Sequence, residues 1–225
     1  MKFIIIALLF CATSVFATPM AISVLFTADE DNMLWATKIN KELHDKYPQG
    51  FRFDDSHLSH VTILQAYVDI SCLDDKWDDI EKEVKASRLL GEKIEISGVK
   101  AEALPSPSPL SLVNLNLSTS GKALSLQKKI LDLLAPCRVE TETPKAFSGL
   151  IAPGDFIIQY VKDYPAQKTK NFYRPHMTLG LAKTADSEKI AAAAVPLSHM
   201  TVKRIGVFKL GASGTARERL FSFDK

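Results

Sequence analysis

The chain lacks most of the features that mark specialised classes of protein. Three cysteines in 225 residues are too few for a disulfide-stapled scaffold. After the N-terminal segment no stretch approaches the roughly 20 apolar residues that a membrane-crossing helix needs. Lysine plus arginine (28) nearly balances aspartate plus glutamate (26), which excludes a global positive field for long nucleic acids. A short nucleotide needs only a local site and stays compatible. Long polar tracts are missing, which argues against disorder. Three catalytic signatures are missing as well: a zinc set such as H-E-x-x-H, a G-x-S-x-G nucleophile elbow, and a phosphate-cradling P-loop. What is left is ordinary globular material, 46% hydrophobic and 24% charged, enough for one domain of two lobes.

The first residues read as a targeting segment. Met1-Lys2 gives a positive start, Phe3 to Phe10 is unbroken apolar sequence, and Val15-Phe16-Ala17 fits a small-x-small cleavage site. The expectation is a signal peptide over 1–17 and an exported chain from Thr18, periplasmic or secreted, with no stable membrane association after cleavage. Cys11 is not read as a lipid-attachment site, because the bulky Phe10 precedes it. Cys72 and Cys137 remain after cleavage. An oxidising compartment would let them pair, but sequence cannot show whether their Cα atoms approach closely enough. Disulfide and free thiols both stay open.

Along the mature chain the pattern repeats. Met20 to Phe26 reads as a strand and Glu30 to Lys46 as an amphipathic helix. His60 to Val68 is β-branched and aromatic, fitting a strand. A helix over Leu73 to Leu89 and a strand over Lys93 to Leu104 follow. Pro105-Ser-Pro-Ser-Pro109 is a stiff connector and the expected internal boundary. The order then recurs: strand Leu110 to Leu117, helix Gly121 to Leu134, an irregular stretch from Glu140 to Arg174, strand His176 to Ala182, and a short helix through Ala194. A long strand over Val195 to Leu210 and a closing one at Leu220 to Phe223 complete it. The expected fold class is α+β, bilobal and duplicated, with two antiparallel-type sheets flanked by helices around a central cleft. The lobes would span about 18–104 and 110–225 of a single domain over 18–225, with chain crossing allowed for.

The chemistry lies in the histidines. Of five, three begin an H-x-T tripeptide: His60-Val-Thr62, His176-Met-Thr178 and His199-Met-Thr201. In a strand, residues i and i+2 share a face, so an imidazole and a hydroxyl project together while Val61 or Met177 turns to a core. Two such strands at one cleft would surround a single anion with two imidazoles and two hydroxyls. Near neutrality one ring can be neutral and the other protonated. The first can take a proton from water or a ribose hydroxyl and the second can give one to the leaving oxygen. Threonine hydroxyls can bind the non-bridging oxygens, where charge concentrates. Such a site needs neither metal nor cofactor. Any one tripeptide is more often a plain polar pair on a solvated strand; two in equivalent places of a repeated plan weigh considerably against that reading.

SHVTIL at 59–64 and RPHMTLG at 174–180 resemble the paired signatures of the two-histidine (2H) phosphoesterase superfamily, which includes LigT-like RNA 2′,3′-cyclic phosphodiesterases and plant-type cyclic nucleotide phosphodiesterases. The family pattern is His-x-Thr/Ser followed by a hydrophobic residue, twice, often with proline before the second histidine. Ile63, Leu179 and Pro175 fill those places here. The resemblance implies a bilobal fold and metal-independent hydrolysis of a cyclic phosphate or related 2′-phosphoester of a nucleotide or short RNA. It implies His60 and His176 as the catalytic pair and Thr62 and Thr178 as phosphate ligands. A first assignment makes His60 the acid and His176 the base, which the sequence itself does not distinguish.

His199-Met-Thr201 is read as an edge-strand or surface coincidence. Tyr173, Arg174 and His57 are candidate substrate contacts, since aromatic rings stack on bases and basic groups attract phosphate. For each, a packed or solvated position is at least as good a reading. Two rivals remain: an exported module that binds nucleotide or RNA without turnover, and the same chemistry on 2′,5′-linked oligonucleotides or ADP-ribose cyclic phosphate.

Overall fold

A computed structural model describes residues 17–54 and 57–224. The expected signal peptide therefore lies, except for Ala17, outside the described residues. The described residues form an α+β structure with antiparallel strand pairing throughout. Its strands are β1 (Pro19–Thr27), β2 (Val61–Asp69), β3 (Lys93–Ala103), β4 (Leu110–Leu117), β5 (His176–Lys183), β6 (His199–Thr201), β7 (Arg204–Leu210) and β8 (Ala216–Asp224). They form one eight-stranded sheet in the order β6-β3-β4-β5-β2-β1-β7-β8.

Two separate sheets were expected, and one is found. The strands fall into two groups of four, but β2 and β5 pair at Val61↔Met177 and so join them edge to edge. The proline-rich segment is not a linker between lobes. It turns the chain between the adjacent antiparallel strands β3 and β4, closed by the Leu104 amide on the Leu110 carbonyl. As a result β3 sits beside strands of the second half, whereas β7 and β8 sit beside β1.

The helices are α1 (Glu30–Lys46), α2 (Ile70–Asp74), α3 (Trp77–Ser87), α4 (Gly121–Leu134), α5 (Phe156–Gln167) and α6 (Thr184–Ala193). Asp29 caps α1 by accepting from the Asn32 amide, and Ser120 caps α4 by accepting from that of Ala123; both supply acceptors for free first-turn donors. The expected helix over 73–89 is broken into α2 and α3, and the expected strand over 195–210 into β6 and β7. One helix was not foreseen. α5 lies inside the stretch read as irregular, where Pro165 within it and Gly149, Pro153 and Gly154 before it obscure the helical period. Asp155 caps it through the Ile157 amide.

Strand alternation sorts the core. Met20, Ile22 and Val24 of β1 join Leu43 of α1, Ile80 and Val84 of α3, Leu126 and Ile130 of α4 and Ile190 of α6 in the main cluster. Ala21 of β1 and Tyr67 of β2 point to the other face and meet Ile157, Ile158 and Val161 of α5. The face under α5 carries the cavity. Cys72 and Cys137 are bonded, with Cα atoms 5.3 Å apart, which ties α2 to the 3-10 turn after α4.

Candidate active site

Adjacent antiparallel strands fix the relation between the two motifs. With Val61 opposite Met177, the register sets His60 opposite Thr178 and Thr62 opposite His176. Val61 and Met177 are fully buried in the main core, so the four polar side chains project from the other face. They form a quartet with the histidines on one diagonal and the threonines on the other. All four line one cavity of about 550 Å³, within the range of small-molecule sites.

Each ring is oriented in the same way. His60 Nδ1 lies 2.7 Å from the Leu58 carbonyl oxygen, and His176 Nδ1 lies 2.9 Å from that of Arg174. A carbonyl only accepts, so Nδ1 carries the hydrogen and Nε2 is the nitrogen left for a ligand. In both motifs the acceptor is the carbonyl two residues upstream. Burial lowers the pKa of His60 below the ordinary histidine value; the Leu58 carbonyl opposes this by favouring the cation, and the nearby His176 adds to the depression.

Both strands then break their alternation at the same point. Val24 pairs with Leu64 and Leu25 with Thr62, leaving Ile63 as an extra residue. Val113 pairs with Gly180 and Asn114 with Thr178, leaving Leu179 extra. Each bulge comes three residues after its histidine and exchanges the faces of the residues beyond it. Gln65 and Leu181, five residues after the respective histidines, thereby reach the cavity. A bulge leaves a buried carbonyl without a ladder partner, and a helix supplies one in each case. Gln127 of α4 donates to the Ile63 oxygen at 2.6 Å, and Asn40 of α1 donates to the Leu179 oxygen at 2.8 Å. Asn40 also donates to the Phe51 carbonyl and accepts from the Phe53 amide, so it fastens the segment that walls one end of the cavity.

The remaining candidates divide. Arg174 is at the cavity rim, its guanidinium donating to the Asn171 and Tyr173 carbonyls. His57 also lines the cavity, stacked on Phe51 with ring centroids 5.8 Å apart and near Asp54. Tyr173 is not a lining residue. It is 2% exposed, and its hydroxyl donates to the Thr62 carbonyl. The extended segment leading into β5 turns 174 and 176 to the cavity and 173 and 175 inward, so the tyrosine braces β2 from within. Phe172, 65% exposed, lines the cavity in its place. His199 lies on the edge strand β6, exposed, with Nδ1 near the Ser198 hydroxyl. That strand is held by α1, through Asp29 on the Thr201 amide and Asn32 on the His199 carbonyl.

Asn114 and Asn116 of β4 and Gln65 also line the cavity, and none was singled out from sequence; Lys168, from the stretch before β5, lines it too. For the asparagines a signal existed: Asn114-Leu-Asn116 has the same period-two spacing as the histidine motifs, in an otherwise apolar strand. Among the described residues no group of three or more His, Cys, Asp or Glu side chains is arranged to hold a metal, and no helix is long and apolar enough to cross a membrane.

No protein-family model matches the chain, and no curated protein does. Solved structures of low identity align over most of it. Kluyveromyces marxianus Usb1 shares 13% identity over 90% of this chain and 97% of its own, with a TM-score of 0.42. E. coli LigT complexed with 3′-AMP shares 12% over 92% and 98%, with a TM-score of 0.40. At such identities and TM-scores the likeness carries no inference about chemistry, which rests on the side chains themselves.

Proposed function

We propose that the protein is a metal-independent phosphodiesterase that hydrolyses a 2′,3′-cyclic phosphate or related 2′-phosphoester of a nucleotide or RNA end. The observation that supports this best is the quartet: two imidazoles, each held through Nδ1 by its own backbone, on one diagonal of a cavity whose other diagonal is two threonines. The neutral histidine takes a proton from water through Nε2, and the water oxygen attacks phosphorus. The bond to the leaving ribose oxygen breaks, and that oxygen takes its proton from Nε2 of the second, protonated ring. Thr62 and Thr178 donate to the non-bridging oxygens. Arg174 at the rim attracts the anion.

Depression of His60 by burial favours its neutral form, so we assign it as the base and His176 as the acid. This reverses the first assignment. Export through a cleaved peptide over 1–17 belongs to the same proposal; the Cys72–Cys137 bond fits an oxidising compartment. N-terminal sequencing of the exported protein should begin at Thr18.

The test is turnover of 2′,3′-cyclic nucleotides by the purified protein in EDTA, alongside His60→Ala and His176→Ala. Activity that survives EDTA and falls by about 10³-fold or more in each variant is expected, since each proton transfer contributes 10²–10⁴-fold. Activity retained in either variant sinks the paired mechanism. Nucleotide binding with no turnover of any phosphodiester would instead mark a binding module.

A further inference from the structure

Among the described residues four buried side-chain polar atoms lack a hydrogen-bond partner, and two of them, Gln65 Oε1 and Asn114 Oδ1, belong to residues that line the cavity. Gln65 is 4% exposed and Asn114 2%. A buried amide oxygen without a partner is costly, and nearly all such groups are paired in folded proteins. The terminal amide torsion is broad and roughly two-fold, so each side chain can turn donor or acceptor to a ligand without repacking its strand.

Their positions differ. Asn114 pairs across β4–β5 with Thr178 and so lies at the His60–Thr178 end of the quartet. Gln65 lies past Thr62 on β2, at the Thr62–His176 end, on the order of 10 Å along the strand from Thr62. Each end has an apolar wall of its own. Beside Asn114 stand Leu181, Leu112 and Phe51; beside Gln65 stand Gly214 and Ile157. The cavity thus extends to both sides of the place where phosphorus would sit.

We propose that Gln65 and Asn114 are substrate-binding residues of two subsites, and that the site is built for a linear phosphodiester carrying a nucleoside-type group on each side of phosphorus. This rests on the phosphodiesterase reading and shifts its preferred substrate from a cyclic phosphate to a linear diester. A cyclic mononucleotide has a nucleoside on one side only and would leave one amide unpaired. Amide side chains pair with base edges through donor and acceptor together, and the apolar walls suit flat rings. The backbone device that delivers Gln65, the bulge at Ile63, recurs at Leu179. There it delivers the apolar Leu181, so the two subsites are not alike.

The experiment compares binding of uridylyl-uridine, 3′,5′- and 2′,5′-linked, with that of uridine 2′,3′-cyclic monophosphate, by calorimetry on the His60→Ala protein. Gln65→Leu and Asn114→Leu are then added singly, and thermal unfolding is followed for each. Expected are dinucleotide affinity about tenfold above that of the cyclic nucleotide, and a loss of about tenfold in each leucine variant for the dinucleotide. At most one variant should weaken the cyclic nucleotide. Both variants should keep or raise Tm, because replacing an unsatisfied polar group by an apolar one of similar shape is nearly neutral or stabilising. Equal affinity for both ligand types overturns the proposal, as do leucine variants with unchanged binding or a lowered Tm, which would make the amides structural. Dinucleotide binding without turnover in the unsubstituted protein would overturn the catalytic reading and leave the two subsites standing.

Discussion

His60 and His176 have the same backbone anchor but different surroundings, and the difference has a pH consequence. Burial lowers the His60 pKa, with His176 adding to the effect. On the proposed mechanism His60 is the base and must be neutral, so the acid limb of kcat/KM should fall below the ordinary histidine value of about 6.5. A limb at or above that value would return the base role to His176. The linkage has a defined sign: a histidine depressed in the folded state binds its proton more tightly when unfolded, so stability rises with pH through this window and is lost as pH falls. Neighbouring residues 173 and 174 separate packing from binding. Tyr173→Phe removes the donor to the part-buried Thr62 carbonyl and should cost about 0.5–1.5 kcal/mol of stability while leaving substrate affinity nearly unchanged. Arg174→Ala, on an exposed rim residue, should weaken phosphate binding with little change in Tm. Equilibrium unfolding and KM measured on both variants would expose a reversal of these roles.

The two motif strands depend on helices for their shape. Each bulge residue, Ile63 or Leu179, leaves a carbonyl facing the core, and Gln127 or Asn40 satisfies it from α4 or α1. Were a bulge lost, the strand would slip by one residue and every side chain beyond it would change face. Gln65 or Leu181 would then leave the cavity. Asn40→Leu and Gln127→Leu should each cost about 1–3 kcal/mol and also lower kcat/KM, although neither residue lines the cavity. Denaturant unfolding and steady-state kinetics check this together; variants of full stability would show that the bulges hold without the amides. The histidine–threonine spacing was legible in the sequence because period two is a local property of a strand. The bulge at Ile63 was not, since nothing in HVTIL marks the residue that leaves the ladder, and only Gly180 beside Leu179 hints at the second.

At the scale of the molecule, one covalent tie spans elements that packing alone would bring together. The Cys72–Cys137 bond closes a sequence separation of 65 residues, for which the chain-entropy account gives about 4 kcal/mol. The double variant Cys72→Ser/Cys137→Ser should lower the urea midpoint by a corresponding amount. Turnover per folded molecule should stay unchanged, because neither cysteine lines the cavity. A variant of undiminished stability would mean that the unfolded chain is already constrained there. The joining of strands into a single sheet belongs to the same scale. The proline-rich segment looked like a boundary because stiffness and composition are all that sequence offers there; pairing of Ala103 with Ser111 makes it the tip of a hairpin.

The sequence by itself determined most of the local elements and placed the residues on which the proposed chemistry rests. Glu30–Lys46 and Gly121–Leu134 read as helices and Leu110–Leu117 as a strand because the apolar period is encoded within a few neighbours. The same locality put His60 with Thr62 and His176 with Thr178. Only the tertiary structure decided which motifs meet. His199-Met-Thr201 has the same spacing but lies on the far edge strand, while Val61↔Met177 brings the other two motifs together. It also turned Tyr173 inward and Gln65 and Asn114 toward the cavity. The physical reason is that strand order, register and bulges are set by contacts between residues distant in the chain, and the face a side chain occupies follows from them.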